Sequence, residues 1–213
     1  MNILFLDIET ADNPAMVSCL PELNAKANLK DPEKIAADLE EKRAKQRANM
    51  ALDGDYGQVT AIGWAWNNEA VPTAEMGYER ELIATASELI YQADYVITFN
   101  GKSFDLPYLW TRARHHGAAM PYPEPDTNKY RDHWHIDVML LLTYRGAIPA
   151  KPMAQYAQVY GVAHNDVLKG SDMPRLYHEG EHDLIAQHVI DDVDTLRRLW
   201  RRCGFCVPGR ERA

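Results

Sequence analysis

The sequence has few cysteines. Three occur among its 213 residues, Cys19, Cys203 and Cys206. That number is too small for a disulfide framework and is typical of a reducing compartment. Cys203 and Cys206 have the Cys-x-x-Cys spacing, but no second pair completes a four-ligand zinc site. We therefore interpret them as two thiols packed under a C-terminal helix.

Long hydrophobic runs are also missing. The longest, at residues 2–8 and 138–142, fall far short of the roughly 20 residues that a membrane-spanning helix needs. The N-terminus lacks the basic flank and apolar core of a secretory signal. We therefore expect a cytoplasmic protein with no membrane partner.

The chain has no excess of positive charge. Its net charge is −8, whereas a protein that binds phosphates normally presents a basic surface. A site made of clustered carboxylates would add negative charge to this count, and bound divalent cations would reverse its local sign. Cationic residues do form three clusters, each of which is most simply a solvated helix face. They are Lys42, Arg43, Lys45 and Arg47; Arg112, Arg114, His115 and His116; and Arg197, Arg198, Arg201 and Arg202.

The remaining pattern is that of an α/β protein. The length fits a single domain, residues 1–213, with room for an insertion. Strand-forming segments occupy residues 2–8, 58–66, 71–78 and 95–99. Helical segments occupy residues 31–52, 79–92, 104–116, 153–160 and 181–202, and residues 135–139 run into a further helix. We interpret residues 11–30 and 161–180 as loops. Strands followed by alternating helices and strands predict a mixed sheet flanked by helices.

Two acidic residues lie at the end of the first predicted strand. Asp7 and Glu9 are two positions apart, so strand alternation directs both side chains to the same face of the sheet. Two neighbouring negative charges are costly to bury unless a cation neutralises them. The alternative is a pair of solvated acids at an exposed strand end.

A third acid follows the buried strand at residues 95–99. Asp105 falls in the first turn of the next predicted helix, beside the loop that leaves the strand. Because neighbouring strand tips lie side by side, Asp105 can reach a metal ion held near Asp7. The alternative is an acid that only interacts with the helix dipole.

The final predicted helix directs one aspartate into its apolar face. At roughly 100° per residue, Asp192 lies about 30° from the centre of that face, Asp191 lies past its edge and Asp194 points away. An acid on an apolar face indicates a function such as metal binding. His188 lies one turn earlier on the same side, although a lone inward histidine is more often a core residue.

These segments resemble the three exonuclease motifs of the DEDD superfamily, also called DnaQ-like exonucleases. The matching elements are Asp7-Ile-Glu9-Thr10, Asn100-x-x-x-Phe104-Asp105 and the helix that carries Asp192. Residues 98–108 and His135-Ile-Asp137 are similar to the branch related to family-B polymerase proofreading domains and to YprB-like predicted nucleases. The resemblance implies a ribonuclease-H-like fold and covers residues 1–10 and about 57–202. Residues 11–56 would be an insertion with a long helix, and residues 203–213 a C-terminal tail.

The resemblance also implies a site chemistry. Two Mg²⁺ or Mn²⁺ ions would be held by Asp7, Glu9, Asp105 and Asp192, and hard oxygen ligands suit these ions. Asp7 would bridge both ions, Glu9 and Asp192 would support the one that binds water, and Asp105 would support the other.

The residue that handles the nucleophilic water departs from the superfamily pattern. A tyrosine four residues before the last aspartate, or a histidine five residues before it, has this role in the superfamily. Here His188 stands four residues before Asp192, at the tyrosine spacing.

The same motifs supply candidate substrate contacts. Thr10, Asn100 and Lys102 are predicted to contact the terminal nucleotide, although Asn100-Gly101 can equally be a turn-forming pair. The aromatic residues Tyr108 and Trp110 are assigned to the core.

The leading prediction is a 3′-5′ exonuclease that converts single-stranded DNA or RNA, with DNA favoured, to nucleoside monophosphates. Two alternatives stay open. One is a structure-specific nuclease on the same fold. The other is a weakly active module that binds a replication or repair protein, through the helix at residues 31–52.

Overall fold

The fold is organised around a five-stranded mixed sheet. The structure is a computed structural model that describes residues 1–165 and 167–208, so residues 209–213 of the predicted C-terminal tail lie outside the described part. The strands are β1 (Ile3–Asp12), β2 (Gly57–Trp66), β3 (Thr73–Met76), β4 (Tyr95–Thr98) and β5 (His135–Asp137). Their order in the sheet is β3-β2-β1-β4-β5. Strand β1 pairs antiparallel with β2 and parallel with β4, and this confirms the predicted mixed sheet.

Seven α-helices surround the sheet within the described residues. They are α1 (Pro32–Met50), α2 (Glu79–Gln92), α3 (Asp105–His116), α4 (Val138–Leu142), α5 (Met153–Tyr160), α6 (Met173–Glu179) and α7 (His182–Arg202). Short 3-10 turns cover Pro14–Cys19 and Gly170–Asp172. None of the helices in this part of the chain is long and apolar enough to cross a membrane.

Local sequence signals explain where several helices begin and end. The Asp31 carboxylate accepts a hydrogen bond from the Glu33 amide, and Pro32 occupies the first turn of α1, where its missing N–H costs nothing. Helix α3 ends at Gly117 and α5 ends at Gly161, both with the left-handed backbone that favours glycine at this position. The predicted bounds of α2 and α5 are confirmed.

The sheet has a hydrophobic core on each face. Leu4, Leu6 and Ile8 of β1 pack in the same cluster as residues of α2 and α3. The alternate residue Phe5 packs against Trp200 of α7, with ring centroids 6.3 Å apart. Because side chains alternate along a strand, Asp7 and Glu9 project to the same side as Phe5, which is the side that α7 covers.

Two predicted loops contain regular structure. Strand β1 continues to Asp12 because its pairing with β2 extends to Gly57, with a register shift between Glu9 and Thr10. The predicted loop at residues 161–180 was wrong over Met173–Glu179, which form α6. Both corrections depend on tertiary contacts, since Met173 and Leu176 are buried against α7 and the sheet.

The helical insertion after the first strand is confirmed. Helix α1 is largely exposed, and its buried residues are Asp38 and Met50. The Asp38 carboxylate forms ion pairs with Lys26 and Lys42, and Gln46 donates a hydrogen bond to the Pro21 carbonyl. These contacts hold α1 against the preceding segment of the insertion.

The C-terminal cysteines do not share one environment. Cys203 is half-buried and packs with the cluster under α7, as predicted. Cys206 is exposed, so the prediction that both thiols are packed was wrong for this residue. Gly204, with a φ of +64°, follows the end of α7, and Phe205 and Val207 on either side of Cys206 pack into the same cluster as Cys203.

Candidate active site

Strand β1 delivers the first two carboxylates of the candidate site. Glu9 is buried, with 7% of its surface exposed, and Asp7 is half-buried. Burial raises the pKa of Asp7 well above its ordinary value, and the charges of Asp105, Asp192 and Glu9 raise it further. The four carboxylates predicted from the sequence therefore lie close enough to repel one another.

A glycine allows α7 to approach the sheet beside these acids. Gly63 of β2 pairs with Asp7, and a Cβ atom at Gly63 would lie 2.6 Å from Val189 Cγ2 and 3.0 Å from the Val189 carbonyl oxygen. Any larger residue would push α7 away from the sheet. Gly63 was not predicted to have this role, although a glycine inside a strand signals such a close approach.

Helix α7 contributes His188 and Asp192. His188 is 4% exposed, and its Nε2 lies 3.2 Å from Glu9 Oε1 and 3.9 Å from Asp192 Oδ2. Ligand atoms of Glu9, His188 and Asp192 all lie within 4.8 Å of one another, close enough to bind one ion. The neighbouring acids face elsewhere: Asp191 accepts a hydrogen bond from Gln187, and Asp194 pairs with Arg197.

Asp105 completes the acidic cluster from α3. It is 3% exposed, and burial raises its pKa to about 8, opposed by backbone N–H groups and reinforced by the charges of Asp137 and Glu9. Carboxylates with raised pKa values gain stability when a cation approaches, because the cation favours the ionised form. The donor set of four carboxylates and one imidazole therefore fits divalent cations that prefer oxygen ligands.

Asp137 organises the turn that precedes Asp105. It is fully buried, and its carboxylate accepts hydrogen bonds from the backbone amides of Asn100 (3.0 Å), Lys102 (3.2 Å) and Leu140 (3.3 Å). Asn100 has a φ of +67°, a left-handed conformation that asparagine tolerates better than most residues. Asp137 belongs to a motif in the sequence, but its role was not predicted, because the turn that it binds lies 35 to 37 residues earlier.

Two predicted substrate contacts are engaged elsewhere. The Lys102 ammonium is buried; it donates to the carbonyls of Asn128 (3.0 Å) and Arg131 (2.7 Å) and pairs with Asp126. The Thr10 hydroxyl donates to the Ala51 carbonyl at 2.6 Å, and this residue is 6% exposed. Both side chains thus make contacts that anchor loops, and their predicted contacts with a substrate stay predictions.

The buried histidine His135 also stabilises the turn at residues 100–102, which Asp137 organises. His135 Nδ1 lies 3.1 Å from the Asp126 carbonyl, and Nε2 lies 2.8 Å from Thr98 Oγ1, which accepts from the Gly101 amide. A carbonyl can only accept, so Nδ1 carries the proton and Nε2 accepts from the Thr98 hydroxyl. This arrangement requires a neutral ring, and burial lowers the pKa of His135 to about 4.

We expect this histidine to make the stability of the fold depend on pH. Unfolding returns its pKa from about 4 to near 6.5, so between these values the unfolded chain binds the extra proton and acidification favours unfolding. The contribution lost from pH 7 to pH 4 is about 3 kcal/mol. The measurement is urea unfolding of the wild type and of His135→Gln across this range.

The difference between the two proteins isolates His135, because the raised pKa of Asp105 acts in the opposite direction in both. The stability advantage of the wild type over His135→Gln should shrink by about 3 kcal/mol on acidification. An advantage that stays constant with pH would show that the ring is not neutral in the folded state.

An open cleft of about 460 Å³ adjoins the acidic cluster. Its walls combine the two carboxylates with apolar side chains, one amide and one cation. The lining residues are Asp7, Phe99, Asn100, Met139, Ala150, Lys151, Pro152, Met153 and Asp192. Asn100 lines this cleft, and its contact with a substrate stays a prediction, whereas Tyr108 and Trp110 are buried in the core, as predicted.

Comparisons with known proteins agree with this geometry. The family described as "predicted 3′-5′ exonuclease related to the exonuclease domain of PolB" matches residues 58–206. A solved structure of the family B DNA polymerase from the hyperthermophilic archaeon Pyrobaculum calidifontis superposes with a TM-score of 0.63 at 15% identity. The match covers 95% of this chain and 24% of the polymerase, so it shows the fold alone. No curated protein matches the chain.

Proposed function

The chain belongs to the family of predicted 3′-5′ exonucleases related to the exonuclease domain of PolB, and from this we propose that it hydrolyses single-stranded nucleic acid from the 3′ end. Membership of this family identifies the chain as a nuclease. We propose DNA as the favoured substrate over RNA, and nucleoside monophosphates as the products.

One observation carries this proposal. Asp7, Glu9, Asp105 and Asp192 come from β1, α3 and α7, which are far apart in the sequence, and converge at one end of a cleft with His188 beside them. Their mutual repulsion is costly to the fold unless cations are bound. Because this cluster is costly to the fold and adjoins an open cleft, we infer that it serves a function.

We propose that these four carboxylates hold two divalent cations, Mg²⁺ or Mn²⁺. When bound, such ions lower the pKa of water and stabilise the charge that develops on a leaving oxygen. Asp7, whose pKa the other three carboxylates all raise, would be a ligand shared by both ions. Glu9 and Asp192 would hold the ion that binds the water, and Asp105 would hold the other.

We propose that His188 activates the nucleophilic water. Its Nε2 faces the carboxylates of Glu9 and Asp192. A neutral imidazole whose Nε2 carries no proton can accept the proton of the attacking water, whereas a phenol mainly orients it. Asn100, at the wall of the cleft, is the proposed contact for the terminal nucleotide.

End-labelled oligonucleotides test the proposed function. With 5′-labelled single-stranded DNA and RNA, we expect stepwise shortening from the 3′ end in Mn²⁺ or Mg²⁺ and no cleavage in EDTA. Blocking the 3′ end with an inverted nucleotide is the control and should stop the reaction. Internal cuts in the blocked strand, or cleavage restricted to branched duplexes, would contradict an exonuclease.

A protein partner and the cellular location stay predictions. Helix α1 presents a largely exposed surface, which we propose as the contact for a replication or repair protein. The proposed location is cytoplasmic.

A further inference from the structure

A strained tyrosine stands next to the cleft, outside the acidic cluster. Tyr144 has a φ of +50° and is followed by Arg145 and Gly146 with φ values of +62° and +90°. Glycine adopts this left-handed region freely, whereas a bulky side chain there is strained. Tyr144 is also 74% exposed, so burial of its ring does not compensate for the strain.

The surrounding turn holds this conformation in place. The Arg145 guanidinium pairs with the Asp132 carboxylate and donates to the Lys129 carbonyl, and the Arg145 amide donates to the Leu140 carbonyl at 2.7 Å. The Gly146 amide donates to Thr143 Oγ1 at 3.2 Å. Backbone strain that neighbouring contacts hold in place at an exposed aromatic residue is typical of positions that bind a ligand.

Tyr144 lies within reach of the cleft. Met139, in the wall of the cleft, precedes Tyr144 by five residues, and α4 ends at Leu142, two residues before the tyrosine. The same connection between α4 and α5 returns to the cleft at Ala150 and Lys151. Tyr144 therefore lies in a connection whose two ends both line the cleft wall.

A second, partly exposed aromatic side chain is connected to the wall of the cleft. Tyr160, the last residue of α5, is 36% exposed and stacks nearly parallel to Tyr156, with centroids 6.3 Å apart. Tyr156 in turn contacts Phe99 of the cleft wall at 6.0 Å. Tyr160 is therefore connected through Tyr156 and Phe99 to the same cleft wall that Met139 lines.

Cations accompany these rings. Lys151 Nζ lies 5.5 Å from the centroid of Tyr156, and Arg202 Nε donates to the Tyr160 carbonyl at 2.9 Å. Exposed aromatics interleaved with cations match the chemistry of a single strand, whose bases stack on rings and whose phosphates pair with positive charge.

We propose that Tyr144 and Tyr160 form a stacking platform for the bases of a single strand whose 3′ end lies in the cleft. This inference rests on the proposed function and names the substrate surface beyond the acidic cluster. The platform would give longer strands a higher affinity than dinucleotides, and it accepts DNA and RNA bases alike because every base has a stacking face.

Binding measured as a function of strand length tests the platform. Fluorescence anisotropy with dT and U oligonucleotides of about 2 to 12 nucleotides is recorded with Ca²⁺ in place of Mg²⁺. Tyr144→Ala should weaken binding of the longer strands about tenfold and leave the dinucleotide within about twofold of the wild type. Tyr144→Phe should keep the wild-type affinity, since stacking needs the ring and not the hydroxyl.

Tyr91→Ala is the matched control, because Tyr91 is 73% exposed on α2, on the other side of the sheet. If Tyr144→Ala and Tyr91→Ala bind every length alike, there is no platform, and the exposed ring serves another partner. Loss of hydrolysis and loss of binding are separable here. A length-dependent effect of Tyr144→Ala in a protein that cleaves nothing would support the platform and refute the proposed function.

Tyr144→Gly keeps the test independent of folding. Glycine relieves the left-handed strain, so this variant should melt at the same or a higher temperature than Tyr144→Ala while binding long strands equally weakly. Wild-type affinity for long strands in Tyr144→Gly would overturn the proposal.

Discussion

Replacing Asp192 with alanine is expected to lower the rate of 3′-end hydrolysis by at least about 10³-fold, and Asp7→Ala should do the same. Carboxylate ligands position cations that contribute several kcal/mol to the transition state, and each tenfold in rate corresponds to about 1.4 kcal/mol. The rate is measured on a labelled single strand at saturating Mn²⁺. The folded state should persist, because removing one of several repelling charges relieves the cluster that raises the pKa of Asp7.

The neighbouring Asp191→Ala is the control on the same helix. Its carboxylate accepts a hydrogen bond from Gln187, away from the acidic cluster. Thermal unfolding provides a second readout: Mn²⁺ should stabilise the wild type and Asp191→Ala more than Asp192→Ala. Full activity in Asp192→Ala together with inactivity in Asp191→Ala would show that the wrong aspartate has been placed in the site.

His188→Phe should lower the rate about 10² to 10⁴-fold at saturating metal, the usual contribution of a positioned base. The ring is 4% exposed and its Nε2 lies 3.2 Å from Glu9, so phenylalanine fills the space without a proton acceptor. The wild-type rate should also fall on acidification, since a protonated imidazole cannot accept a proton. His188→Tyr should recover part of the rate and flatten the acid limb of the pH profile.

The comparison needs a histidine on the same helix but outside the site. His182, exposed at the start of α7 and stacked on Tyr177, provides it, and His182→Phe should leave rate and profile unchanged. Mn²⁺ titrations separate a proton acceptor from a ligand, because a ligand's loss is largely overcome by more metal. If His188→Phe keeps the wild-type rate and profile, the histidine only packs against Glu9.

Features that depend on local periodicity can be predicted from the sequence alone. Alternation along β1 placed Asp7 and Glu9 on one face, and the 100° step of a helix placed Asp192, and not Asp194, on the side of His188. Capping residues such as Asp31 and Gly161 fixed helix ends to within a residue or two. These signals act within a few residues of the chain, so the sequence reveals them directly.

The contacts that occupy each side chain are visible only in the tertiary structure. Lys102 belongs to a motif, but its ammonium is taken by carbonyls 26 and 29 residues away. Position 63 requires a glycine because Val189 of α7, more than a hundred residues later, packs directly on it. The left-handed backbone of Tyr144 depends in the same way on Asp132 holding Arg145. Hydrogen bonds and close packing between distant segments have no period in the sequence, and so only the folded chain reveals them.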